Sequence, residues 1–188
     1  MVCFGGGGLI YHKVSYIFMF NFTISSYKNH LTNLRAILEK AKTYQGEHKI
    51  ADETMLNARL ILDQFSLAGQ VRSACNFARN SAAVMRGVDH PVYEDNEKTL
   101  ADLQTRIDKV LAYLGEMTEE MVQSDLSTRI VPLPWMPGKG LVATYYLEVY
   151  ALSNFYFHYT TAYSILRHYG LQIGKGDYLG GIDLKDIA

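Results

Sequence analysis

Two cysteines, four prolines and one tryptophan are few for 188 residues, and neither sign of charge dominates, with 18 Lys+Arg against 19 Asp+Glu. Cys3 and Cys75 cannot build a disulfide framework, so a reducing, cytoplasmic setting is the expectation. A net charge of −1 removes the basic stripe that marks a nucleic-acid-binding surface, and no nucleic-acid partner is expected. The longest uncharged stretch near the start, VSYIFMFNFTISSY between Lys13 and Lys28, is shorter than the roughly 20 apolar residues of a bilayer span, and Asn21, Thr23, Ser25 and Ser26 interrupt it. No membrane partner is expected either. Met1 to Tyr11 has no basic residue and carries glycine at 5–8, which is weak evidence for export, and the Asn21-Phe22-Thr23 sequon is set aside with it. The familiar catalytic signatures are missing as well: there is no HExxH, CxxC, Gly-x-Ser-x-Gly or Walker loop, and the glycine run lacks the strand and the GxGxxG spacing of a nucleotide site.

What the chain has is aromatic side chains, 14 Tyr and 8 Phe beside the single Trp, in a sequence that is 48% hydrophobic. Rings with polar tips fill a helical core or line a cavity or an interface. The length suits one domain. Residues 1–18 carry no periodicity that continues into the first helical pattern, so they are expected to be a disordered or non-native extension, with the bundle domain at 19–188.

From Ser25 or Ser26 as a cap, Tyr27, Leu31, Leu34, Ile37, Leu38 and Ala41 repeat at helical spacing. Asp52 starts a second helix carried by Met55, Leu56, Leu60, Leu62, Phe65, Ala68, Val71, Cys75, Ala78, Ala82 and Met85, ending at Gly87, with a break expected near Phe65 to Gly69. Leu100, Leu103, Ile107, Val110, Leu111 and Leu114 mark a third, with Asp95 or Asn96 near its start, and a short helix fits Glu119 to Ser124. Pro132, Pro134 and Pro137 then exclude a helix interior, and Ile130 to Trp135 with Leu141 to Ala143 read as a hairpin or ordered loop. Thr144 to Tyr169, closed by Gly170, is apolar nearly all round, which predicts a buried last helix or one at a subunit contact. Four long helices with modest connections predict an all-α four-helix bundle.

Functional side chains of a bundle point inward from facing helices. On the last helix Asn154, His158 and Thr161 share one face, while His168, about 80° away, suits the helix C-terminus. On the second, Asp63 and Gln70 share a face, and a carboxylate between Leu62 and Phe65 needs a partner such as Arg59, Arg72 or Arg106. Cys75 reads as a packing residue.

The runs LTNLRAILEKA (31–41), LNARLILDQFSLAGQVRSACNFA (56–78), TLADLQTRIDKVLAYL (99–114) and SNFYFHYTTAYSILRHYG (153–170), with GKGDYLG (174–180) after them, resemble the family called domain of unknown function nineteen-ninety-three. That family is similar to the DinB/YfiT-like superfamily, and the likeness spans roughly 20–180. The resemblance implies an up-down-down-up four-helix bundle with a small β-hairpin or loop insertion before the last helix. It also implies a divalent metal, Zn or Ni, held by one histidine of the second helix and an HxxxH pair on the last. In this chain the second member of the pair falls on His158 and the first on Asn154; the second-helix histidine has no counterpart, and Asp63 is the nearest polar residue. Leu62 and Ser66 stand where relatives carry prolines. An amide oxygen is a weak ligand beside imidazole, so the expected metal site is degenerate.

These residues suit two functions of different class. One is a small-molecule-binding or structural homodimeric bundle, with the polar residues forming a buried network. The other is a metal-dependent transferase or hydrolase-like enzyme, with His158 as ligand or general base near neutral pKa and Asp63 as second catalytic or metal-binding group. Asn154, Tyr156, Thr161 and Gln70 are the candidate substrate contacts. Depletion of the histidines favours the first.

Overall fold

The computed structural model describes residues 7–181 and 184–187; Cys3 and the first part of the glycine run lie outside them. Four long helices dominate: α1 (Gly7–Glu47), α3 (Leu67–Arg86), α4 (Leu100–Gly115) and α6 (Leu152–His168). Shorter pieces are α2 (Asp52–Asn57), α5 (Ala143–Tyr145), α7 (Lys175–Leu179) and a 3₁₀ turn at Glu119–Met121. Strands β1 (Ile130–Pro132) and β2 (Gly140–Val142) pair antiparallel, with Val131 opposite Leu141. The expected hairpin before the last helix is therefore present. α3 packs chiefly on α6 and α4, and α1 on α4, α7 and α6. No helix among the described residues is long and apolar enough to cross a membrane.

The first helix, expected from Ser25 or Ser26, starts at Gly7 instead. Tyr16, Met19, Phe20, Thr23 and Ile24 are buried and lead at helical spacing into Tyr27, Leu31, Leu34, Leu38 and Ala41. The stripe was hidden because its polar member, Thr23, sits among exposed apolar neighbours such as Phe18 and Phe22. The Tyr27 hydroxyl meets Ser81 of α3 at 3.0 Å in the interior, and each fully buried Leu of this seam stabilises the fold by roughly 1.5–3 kcal/mol.

The second expected helix is two helices, and the break expected near Phe65 to Gly69 falls earlier, between Asn57 and Leu67. The chain leaves helical geometry after Asn57, makes a bend over 58–66, and re-enters at Ser66, whose hydroxyl accepts from the Gly69 N–H. A backbone bond from Leu67 N to the Ala58 carbonyl, 2.8 Å, closes that excursion. Leu60, Ile61, Leu62 and Phe65 are exposed in consequence, and the helix face on which Asp63 and Gln70 were to meet does not form. α3 ends at Gly87, whose φ of 67° is left-handed and suits glycine. Asp95 and Asn96 lie just ahead of α4, but its cap is Thr99, which forms a reciprocal capping box with Asp102.

The last long segment has three parts. α5 leads into a π-helical turn, Tyr146–Ala151, and then into α6. It is not buried all round: Tyr145, Val149 and Phe157 are about half exposed, because α3 and α1 cover two of its sides and solvent the third. The hairpin is tied to α3 by Arg129, whose Nη2 donates to the Val84 carbonyl at 2.6 Å.

Candidate functional site

α3 and α6 bring His158 and Gln70 together. His158 is 8% exposed, and its Nδ1 lies 2.7 Å from the Gln70 Oε1. The orientation of Gln70 is fixed from behind, since its Nε2 donates to the Phe65 carbonyl at 3.1 Å. An amide whose nitrogen is committed to a carbonyl presents its oxygen to the ring, so His158 must carry its proton on Nδ1. Nε2 is left with a lone pair and no hydrogen-bond partner among the described residues. The rings of Phe65 and Phe77 lie nearly parallel to the imidazole on stacked centroids 6.1 and 5.8 Å away, and Phe157 meets it edge-on at 5.3 Å.

Those apolar walls decide the charge. Desolvation pulls the His158 pKa down to about 4, so the ring is neutral at physiological pH. This corrects the expectation of a pKa near neutrality. Asp63 is exposed in the bend before α3, and the imidazole bonds an amide in its place.

The other expected site residues are dispersed. Asn154 stands one turn before His158, but its Nδ2 donates to the Tyr150 carbonyl at 2.7 Å, a group inside the π turn. The Thr161 hydroxyl, one turn after, donates to the Phe157 carbonyl at 2.7 Å. Tyr156 faces α1, where its ring lies 5.0 Å from that of His30. His30 is also met edge-on by Phe155, Tyr159 and Tyr178. Cys75 is fully buried, and burial pushes its thiol up to about 12, which makes it inert packing. Sequence reasoning missed Phe77 as a wall of the site. The signal was available, for Phe77 stands seven residues after Gln70 and so repeats on the same face of α3.

The donor set around His158 does not fit Zn²⁺ or Ni²⁺. It offers one imidazole nitrogen, an amide oxygen already accepting from that imidazole, and an asparagine bonded back to its own helix. Among the described residues, no group of three or more His, Cys, Asp or Glu is placed to hold a metal ion.

A mostly helical chain with a two-stranded hairpin before its last long helix is the architecture here, and it resembles that of the DinB family. The chain belongs to the family described as Domain of unknown function (DUF1993), whose model matches residues 19–179. Among solved structures it is similar to a DinB family member protein from Shewanella denitrificans. That match has 36% sequence identity and a TM-score of 0.84, and covers 96% of this chain and 100% of that one. Comparison with curated proteins gives no match.

Proposed function

We propose that this DinB-like protein, its long helices in up-down-down-up order, binds a small molecule between α3 and α6 at a site whose metal-binding capacity is degenerate. His158 serves as a neutral hydrogen-bond acceptor. The observation that carries the reading is the relay Phe65 carbonyl, Gln70 amide, His158 Nδ1, which locks one tautomer and leaves Nε2 as the free polar atom of an aromatic wall. Such a wall takes an apolar or planar body, and the lone pair of Nε2 orients a single O–H or N–H donor on it. A ring held neutral by desolvation accepts a hydrogen bond without the cost of a buried charge.

Native mass spectrometry of untagged protein, paired with metal analysis, tests this. The expected result is a small organic adduct on the wild-type chain that is lost from a folded His158→Ala variant, with metal well below one equivalent in both. Stoichiometric zinc or nickel that disappears with His158 would instead establish the metal-dependent enzyme. An adduct-free, metal-free protein whose variant only melts lower would leave the polar relay a structural network.

A further inference from the structure

Away from the His158 relay, one buried charge lacks its counter-charge. Arg79, on α3, is 6% exposed. Its Nε and Nη2 both donate to the single Oδ1 of Asn80, at 3.1 and 3.0 Å, and its guanidinium carbon lies 5.3 Å from the centre of the Tyr93 ring. Nη1 has no hydrogen-bond partner, and no carboxylate pairs with Arg79, among the described residues.

Its neighbours are provided for. Arg72 and Arg106 share Glu97, at 2.6 and 2.7 Å, and Arg106 adds Asp95 at 2.9 Å and the Asn76 Oδ1 at 3.0 Å. The acids of this corner are thus spent on the other two guanidinium groups, and Arg106 adds a like charge beside Arg79. Burial first, and Arg106 second, hold the Arg79 guanidinium below its usual pKa.

A guanidinium fork matches the two oxygens of a carboxylate or phosphate. Here the fork closes on one uncharged amide oxygen. A largely buried cation met by an amide and a ring face, with Nη1 left to solvent, is stabilised by an anion that takes the place of that solvent. Tyr93, the ring over the guanidinium, is also a wall of two surface cavities of about 440 and 540 Å³, which open its outer side to solvent. In the first, Lys98, Arg106 and Lys109 stand against Glu94, Glu97 and Asp102, so the field there is balanced.

We propose that Arg79, with Asn80 and Tyr93, forms a binding site for a small oxyanion, a carboxylate or phosphate group, independent of the His158 site. The test is the thermal midpoint of the full chain in sodium phosphate, sodium acetate and sodium chloride at matched ionic strength. Phosphate or acetate is expected to raise the wild-type midpoint by about 2 °C or more over chloride, and which salt does so assigns the source of the oxyanion. The gain should vanish in Arg79→Met and in Asn80→Asp. The second variant supplies the missing carboxylate from within the chain and should melt higher than wild type in chloride. General exclusion of phosphate from protein surfaces acts on every variant alike and cancels in the comparison. His158→Ala should keep the gain, which separates this site from the one between α3 and α6. The proposal is overturned if the three salts give one wild-type midpoint, or if Asn80→Asp shows the same anion-specific gain as wild type. Should Arg79→Met not fold, Asn80→Asp decides alone.

Discussion

His158 carries a pH dependence whose sign is set by its surroundings. Its folded pKa is about 4, against roughly 6.5 for an unperturbed histidine. Between those values the unfolded chain binds a proton that the folded one refuses, so stability rises with pH through this window. The contribution is whole above about pH 6.5 and is lost as pH falls towards 4, a change on the order of 2 kcal/mol. Chemical denaturation from pH 7 to 4.5 should show it, and in His158→Phe the curve should be lower but flatter. Asp102 and Asp177, whose carboxyls are held below the usual range by backbone N–H groups and Lys40, lose their contributions at lower pH and stay out of this window. A second expectation uses the partner. Gln70→Glu places a carboxylate against the ring, and NMR titration should find the His158 pKa moved up. Of this site the sequence shows His158 and Gln70 as polar residues on apolar faces, because four- and seven-residue spacings are visible in a string. It does not show that Asp63 leaves the helix, since a carboxylate between Leu62 and Phe65 reads as buried only while those two neighbours are helical.

Among the elements, the ones legible in sequence are those with a single wet face. α4 reads correctly from Leu100 to Leu114, and its start is set by Thr99, whose Oγ1 accepts from the Asp102 N–H at 3.1 Å while Asp102 accepts from the Thr99 N–H at 3.0 Å. Thr99→Ala removes half of that exchange and should cost about 1 kcal/mol in urea unfolding, with the slope unchanged. A loss below about 0.3 kcal/mol would mean that water caps the helix equally well. The elements that misled are those whose apolar residues serve another purpose. Leu62 is 95% exposed, so counting it towards a stripe extended the second helix through a bend that Ser66 closes. The π turn at Tyr146–Ala151 leaves no mark at all in periodicity, because one inserted residue shifts the register without changing the composition. It nonetheless bears on the site, for the carbonyl that takes the Asn154 amide lies within it.

On the scale of the whole molecule, α6 joins two neighbourhoods: one side meets α3 through His158, and the other meets α1 and the C-terminal segment through Tyr159. That segment is docked by Tyr178. Its carbonyl accepts from the Tyr159 hydroxyl at 2.6 Å and from the Asn33 Nδ2 at 3.2 Å, and its own hydroxyl meets Thr160 at 2.9 Å. Lys40 of α1 pairs with Asp177 at 2.5 Å. Two residues beyond Tyr178, Gly180 turns with φ of 74°, and a methyl group there would collide with the Asn33 amide. Gly180→Ala therefore has both a strained backbone and a blocked approach, while Gly181→Ala meets open space and serves as its control. Hydrogen exchange is the readout suited to a local change. Gly180→Ala should speed exchange across 175–180 and leave the centre of α3 protected, with Gly181→Ala matching wild type in both. Equal exchange in the two variants would show that the segment is held by Tyr178 alone and that the turn after it contributes nothing. Faster exchange in α3 as well would show that the seam of α1 and α6 transmits the loss to the side that holds His158.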